Sequence, residues 1–511
     1  MKVKGEGVMN FRTPATQRIA AVALCLLCLS RPLAAEQQGD RQTLFLSLEE
    51  AIGVALENNL DIAVEQFQPE IAKEAIVSTE AVFDSNFESR ASQSFNESEY
   101  DTTPVSVSSL DLSLGKAFRF GGSYQLEWSS SLSAFDGTTL SPTGDKLELD
   151  NQYKNSFALS YRQPLLKNAG SEVNTTAIAI ARKKRDLSIS RLRSTVIAVV
   201  TDVKNSYWEL VNAIAELKAA ELSLRLAEDL VKINEARVNV GALAPIEILQ
   251  AKAQAASRKA SVTTAELAVQ NSEDRLRQLL DFAEDDPVWN SSIVPTDAPS
   301  ETAPALSLAD SISFALEHFE ELKQFRTTID IQERALMYAE NQMKADMNLI
   351  ASMGTTGANT HLGDSLTGVI DLNNFSVTLG ANFSYALGNR AAKSAYHQAK
   401  LQRDQSRLAY RNQEQALIVN VRAVHRNVLT AYELIASTRL ARQLAEKQLD
   451  AEQKKFNEGL STNFQILEYQ NHLKQARSNE ALALTSYNQA LANLDSVIGY
   501  TLQRHNIVIQ E

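Results

Sequence analysis

The sequence predicts a mainly α protein with a β-sheet portion, built from two copies of one helix–strand–hairpin unit. Three observations carry this. Helix breakers are scarce, with 19 glycines and 11 prolines in 511 residues against averages of about 7% and about 5%. Residues 171–240 and 389–458 contain neither breaker and are bounded by Gly170 and Gly241, and by Gly388 and Gly459. Short runs of strict apolar–polar alternation precede each of these stretches.

The N-terminus reads as an export signal. Lys2, Lys4, Arg12 and Arg18 precede an apolar run over 19–30, too short to span a bilayer as a helix. Leu33-Ala34-Ala35 before Glu36 offers a cleavage site, so residues 1–35 are expected to be a signal peptide. Cys25 and Cys28, the two cysteines of the chain, lie inside it. Their C-x-x-C spacing is therefore not read as redox or metal chemistry, and no lipidation pattern precedes either. Residues 1–35 hold five Lys/Arg and one acid, so their removal takes the net charge from −12 to −16. An exported chain this acidic is a poor partner for nucleic acid.

The repeat appears next. Leu46-Ser47-Leu48 opens a helical pattern through Ile52, Ala55, Leu56 and Glu57, and Leu306-Ser307-Leu308 opens its match through Ile312, Ala315, Leu316 and Glu317. The offset is 260. The bounding glycines match at an offset of 218, as do Ile248 with Ile466, Leu249 with Leu467, Ala265 with Ala483 and Leu276 with Leu494. The first copy therefore carries about 42 more residues between its helices. The first copy is assigned to 36–282, with a strand insert at about 83–169 and a hairpin tip at 238–246. A Pro-rich linker follows at 283–305, holding Pro287, Pro295, Pro299 and Pro304. The second copy is assigned to 306–511, with an insert at about 349–388 and a tip at 456–464.

Within the breaker-free stretches, Leu192, Val196, Val199, Val203, Tyr207, Leu210, Ile214 and Leu217 form a narrow apolar seam at helical spacing. A narrow seam on so long a helix means coiled-coil-like packing, and at ~1.5 Å per residue each helix would run roughly 100 Å. A second helix of some 35–40 residues follows each turn, giving an αα-hairpin. In the inserts, Leu110, Leu112 and Leu114, then Tyr124, Leu126 and Trp128, then Phe157, Leu159 and Tyr161 alternate with polar residues. In the second copy Phe375, Val377, Leu379, Phe383 and Tyr385 do the same. Loops are expected at 135–153 and 355–374. One apolar and one polar face suit either a transmembrane barrel or a water-facing sheet on a protein core.

These residues carry a resemblance. The twin helix starts at Leu46 and Leu306 are one part of it. Others are Gln163-Pro164-Leu165-Leu166 ahead of Gly170 and its counterpart Tyr385-Ala386-Leu387-Gly388-Asn389-Arg390. The turns Arg237-Val238-Asn239-Val240-Gly241-Ala242-Leu243 and Phe456-Asn457-Glu458-Gly459-Leu460-Ser461-Thr462 complete it. In order and duplicated, they make the chain resemble the TolC-like outer-membrane efflux protein family, the outer membrane factors of tripartite exporters. The resemblance implies a homotrimer whose long helices form an α-helical tunnel across the periplasm. It implies four strands per chain in one shared 12-stranded barrel in outer-membrane lipid. The partners it implies are a periplasmic adaptor and an inner-membrane pump of resistance-nodulation-division or ABC type. The longer first insert departs from the pattern. Gly121-Gly122 between alternating runs predicts an additional hairpin, which widens the barrel or covers it, with 12 strands as the expectation.

No catalytic constellation emerges. His318, His361, His397, His425, His472 and His505 are scattered, and neither metal-protease, phosphate-loop nor nucleophile-elbow motifs occur, so no enzyme activity and no cofactor is expected. The expected mechanism is passive conduction, gated where helix tips converge and rings of side chains set selectivity. The resemblance implies a latch of Tyr and Arg on the second tip with an Asp on the first, and two Asp following. Matched by position, this chain has Phe456 for the Tyr, Ser461 for the Arg, Gln465 and Glu468 for the two Asp, and Glu247 for the first-tip Asp. The charged latch is thus largely missing, with Glu468 expected as an acidic constriction ring and Gln465 as a neutral one. Gly241, Ala242, Leu243, Gly459, Leu460 and Ser461 are candidate adaptor contacts. A type I protein secretion role would use the same tunnel. A non-channel adaptor or surface fibre fits less well, because the hairpin is duplicated and the strands lie within each copy.

Overall fold

The computed structural model describes residues 43–98, 101–135, 138–140, 146–148, 150–282, 286–304, 307–372 and 374–509. The signal peptide assigned to 1–35, Leu306 and parts of the linker lie outside the described residues. The first copy begins with strand β1 (Thr43–Leu46) and helices α1 (Leu48–Asn58) and α2 (Leu60–Glu80). Ser47 caps α1: its hydroxyl accepts the Glu50 amide while the Glu50 carboxylate accepts the Ser47 amide, a reciprocal capping box. Strands β2 (Ser85–Ser98), β3 (Asp101–Ala117), β4 (Ser123–Phe135) and β5 (Gln152–Pro164) follow, then the long helix α3 (Thr176–Asn239) and its partner α4 (Ile246–Leu280).

A short strand, β6 (Ser292–Pro295), lies within the stretch assigned as linker and pairs in parallel with β1. The second copy runs α5 (Leu308–His318), α6 (Glu320–Gln342), β7 (Asp346–Asn359), α7 (Leu362–Ile370), β8 (Phe375–Ser384), α8 (Arg390–Asn457) and α9 (Asn463–Ile498). Ser307 caps α5 as Ser47 caps α1, accepting the Asp310 amide. Two expectations are corrected here. The segment 355–374 is not a loop throughout, because β7 continues to Asn359 and α7 follows. The second insert begins at Asp346 rather than about 349.

Two apolar clusters hold the helical body. In the first, Leu192, Val196, Val199, Val200, Val203, Tyr207 and Leu210 of α3 pack on Ala51, Ile52 and Ala55 of α1, Leu276 and Leu280 of α4, and Ile293 of β6. In the second, Leu417, Val421, Val428 and Ile435 of α8 pack on Ala315 of α5, Leu322 of α6, and Tyr487, Leu494 and Ile498 of α9. Leu417, Val421, Val428 and Ile435 are the seam positions Val199, Val203, Leu210 and Leu217 moved by 218, and Ala315 is Ala55 moved by 260. Tyr207 donates its hydroxyl to the Leu46 carbonyl and the Asp297 carboxylate, at 3.2 and 3.0 Å. Burial pushes its phenol up to about 12, so it stays a neutral donor. Lys204 of α3 and Asp495 of α9 form a buried ion pair at 3.2 Å between the two copies, joined by Arg504. Burial lowers the Lys204 ammonium below its usual range.

Six of the strands form one antiparallel sheet in the order β8-β7-β5-β4-β3-β2. The four strands per chain implied by the resemblance are therefore six. The added hairpin turns at Gly121, whose φ of +99° suits glycine and whose Cβ would lie 2.4 Å from the Asn168 carbonyl. It joins the sheet rather than covering it. Register sorts the side chains by face. One face carries Phe87, Leu110, Leu112, Leu114, Leu126, Trp128, Phe157, Leu159, Met353, Val377, Leu379 and Phe383. The other carries Glu88, Arg90, Asp111, Glu127, Lys154 and Arg162 among serines and threonines. Strands β2 and β8 are the unpaired edges.

Candidate functional site: the paired hairpin tips

Each long helix ends in the same backbone device. Gly241 (φ +75°) and Gly459 (φ +76°) take the left-handed conformation that terminates α3 and α8. The Ala242 amide reaches back to the Arg237 carbonyl and the Leu460 amide to the Lys455 carbonyl, both at 2.8 Å. The chain then reverses into α4 and α9. Ala242 and Leu460 are exposed, Leu460 at 78%, while Leu243 is half-buried. Val240, Ile246, Leu249 and Phe464 add further exposed apolar surface at this end.

The two tips are bound to each other by Phe456 and Glu247, which position matching singled out, through Arg237 and Asn463, which it did not. Phe456 is only 3% exposed and packs on Leu230 and Ile466. The Arg237 guanidinium lies 4.3 Å from its ring centroid, a cation–π contact. The same guanidinium donates to the Phe456 and Asn457 carbonyls at 2.9 and 3.3 Å. Those are carbonyls of the last turn of α8, where a cation also meets the negative end of the helix. Asn463 donates its side-chain amide to the Glu247 carboxylate at 3.0 Å. The signal in the sequence was an arginine one turn before Gly241, but its partner is 219 positions away and invisible to spacing.

Ser461 does not reach Glu247. Its hydroxyl donates to the Glu452 carboxylate at 2.5 Å, within its own hairpin. That bond, with Lys455 at 3.2 Å, holds the Glu452 carboxyl below the usual carboxylate range. Gln465 does not project freely either. Its side-chain oxygen accepts the Thr462 amide at 3.2 Å while the Thr462 hydroxyl accepts the Gln465 amide, a capping box at the start of α9. Glu468 is exposed, with His472 one turn away at 4.0 Å. Beyond the tips, Gln470 donates to the Leu226 carbonyl, Arg258 to Asn471, and Lys474 pairs with Glu216, so the hairpins are laced along their length. Among the described residues no group of three His, Cys, Asp or Glu could hold a metal ion, and no helix is long and apolar enough to cross a membrane.

Solved structures share this architecture. The Campylobacter jejuni CmeC outer membrane channel is similar over 89% of this chain and 85% of its own, with a TM-score of 0.65 at 16% identity. The Vibrio cholerae outer membrane protein VceC is similar over 88% of this chain and 96% of its own, with a TM-score of 0.65 at 16% identity. The Neisseria gonorrhoeae MtrE outer membrane channel, solved in its open state, is similar over 88% of both chains, with a TM-score of 0.61 at 14% identity. No curated protein sequence matches at a significant level. The family model described as outer membrane efflux protein matches residues 51–281 and 346–500, ranges that take in both long hairpins and all six strands of the sheet. The chain is an outer-membrane protein and belongs to the outer membrane efflux protein family.

Proposed function

We propose that three copies of this chain form a passive conduit, taking substrates from a periplasmic adaptor and its inner-membrane pump to the exterior. The carrying observation is that the single chain leaves complementary surfaces open. The sheet ends in edge strands β2 and β8, which run in opposite directions, so β8 of one copy can extend the antiparallel order into β2 of the next. A head-to-tail contact of this kind closes into a three-membered ring when each step turns by a third of a circle. Along α8, Leu401, Leu408, Val419, Leu440 and Leu444 are all exposed. They recur at helical spacing on one face within about 60°, a seam awaiting another helix.

Three copies of six strands make an 18-stranded barrel. With strands ~4.8 Å apart and tilted ~40°, its backbone diameter is about 36 Å, against about 24 Å for 12 strands. The apolar face then meets lipid, and the face with Glu88, Arg90, Asp111, Glu127, Lys154 and Arg162 lines a water-filled lumen. Such a barrel does not limit passage, which supports a constriction at the hairpin tips. There Arg237 and Phe456, with Asn463 and Glu247, hold the two hairpins of one chain together, and Glu468 supplies a threefold acidic ring. Gln465 is a helix cap beside that ring. Gly241, Ala242, Leu243, Gly459, Leu460 and Ser461 form the surface offered to an adaptor. The test is the mass of the detergent-extracted protein, corrected for detergent, followed by conductance in planar bilayers. A trimer that conducts supports the reading; a monomer, or a trimer that never conducts, refutes it. If Glu468→Ala leaves cation selectivity unchanged, the acidic ring is wrong.

A further inference from the structure

The helix α7 lies on the apolar face of the sheet. Asn155 of β5 and Thr355 and Gly357 of β7 share that face by register. Asn155 donates its amide to the Ser365 hydroxyl at 2.9 Å, Ser365 donates to the Gly357 carbonyl at 2.8 Å, and Thr355 donates to the Val369 carbonyl at 3.3 Å. Asn155 and Ser365 are fully buried by this contact. Only glycine permits the approach at 357, where a Cβ would lie 1.9 Å from the Ser365 carbonyl oxygen. The helix is therefore fixed to the outside of the sheet.

What it covers explains why. A tilted strand needs 9–11 residues to cross the hydrocarbon layer. On β7 the apolar face runs Met347, Leu349, Ala351, Met353 and then turns to Thr355 and Gly357, so the strand's own apolar side chains stop short. On neighbouring β5, Phe157 is followed at the same level by Asn155. Left bare, these groups would face acyl chains, which supply no hydrogen-bond partner. The helix gives partners to the Asn155 amide N–H and the Thr355 hydroxyl and presents carbon instead. At 100° per residue, Leu362, Leu366, Val369 and Ile370 fall within about 100° of its circumference, and Asp364, Thr367 and Asp371 cluster on the opposite side. Ile370 is 76% exposed, and Leu362 and Leu372 are also exposed.

We infer that α7 is a membrane-interface helix, whose apolar side contacts the acyl chains of the outer leaflet and extends the lipid-facing band of the sheet, with its acidic side turned to the water. This rests on the barrel reading above. The test is a spin label on Ile370→Cys in the protein reconstituted into phospholipid vesicles. Leu379→Cys serves as the lipid-face reference and Thr378→Cys as the lumen reference, with unsubstituted protein labelled in parallel. Expected is preferential collision with oxygen over a water-soluble nickel chelate at 370, as at 379, with the order reversed at 378. Preferential nickel access at 370 while 379 favours oxygen overturns the proposal and leaves the barrel intact. An immobilised label at 370 shielded from both reagents also overturns it, and indicates a neighbouring chain as the cover. Nickel access at both 370 and 379 overturns the barrel reading together with this one.

Discussion

Helices α3 and α8 occupy the same place in their repeats and have nearly the same length, 64 and 68 residues. Yet α3 buries more than twice as many of its residues. It is wrapped by α1, α2, α4, α6 and α9, whereas α8 packs on α5, α6 and α9 and meets α3 near its tip, where Phe456 lies against Leu230. The difference is written in side chains. Trp208 and Tyr207 of α3 lie in the core at edge-to-face geometry. On α8 the leucines at 401, 408, 440 and 444 face outward. One copy of the repeat completes itself within the chain, and the other keeps an apolar seam open. The ring proposed above would use this asymmetry, because a chain satisfied on both sides has no reason to associate.

The largest effect should come from charging the open seam. Val419→Asp with Leu440→Asp is expected to abolish the trimer while helix content is retained, measured by sedimentation in detergent and circular dichroism. Retention of the trimer would show that this face of α8 looks elsewhere. Leu210→Ala on α3 probes the opposite side of the comparison. It removes a fully buried core side chain and should cost about 3 kcal/mol, read as a lower unfolding midpoint in trimer and dissociated protomer alike. A loss seen only in the trimer would mean that α3 is not satisfied within its own chain.

Much of this contrast was legible in the sequence. The apolar seam of α3, both breaker-free helices and both glycine turns follow from local periodicity and from the steric freedom of glycine. The extra hairpin was legible as a surplus of 42 residues and a Gly-Gly step. Its destination was not, because strand order depends on pairing between segments far apart. Strand β2, rich in Ser, Asn and charged residues along 85–98, shows little alternation of its own. It joins the sheet because β3 offers it a ladder. The latch was hidden for the same reason. Arg237 meets Phe456, and Asn463 meets Glu247, only once two hairpins lie side by side. Matching position by position pointed to Phe456 and Glu247, which do meet the other tip, but not to their partners, and it pointed to Ser461 and Gln465, each of which is occupied by a local bond instead.

A smaller and more specific effect should follow from Arg237→Ala. It removes one cation–π contact and two charge-assisted hydrogen bonds between the tips, worth about 1–3 kcal/mol together. Single-channel conductance of the isolated trimer should rise, and Arg237→Lys should restore it only in part, since an ammonium lacks the planar fork. Unchanged conductance in Arg237→Ala would remove this contact from the gate.

The smallest effect separates the two tips themselves. The first begins its second helix at Pro245 with no side-chain cap. The second has the Thr462–Gln465 box and the Ser461–Glu452 bond. Because Glu452 titrates below the usual carboxylate range in the folded tip, its contribution is present above the ordinary value of about 4.3. It is lost as pH falls through the lower folded value. Hydrogen exchange of amides 452–465, corrected for intrinsic rate, should therefore show protection falling as pH drops from 7 toward 3, while 237–248 changes less. Ser461→Ala should lower the protection of 452–465 at pH 7 and flatten that fall, since the anion loses the hydroxyl that favours it. Equal acid sensitivity at both tips, or a fall unchanged by the substitution, would mean that the second tip is held by its capping box alone.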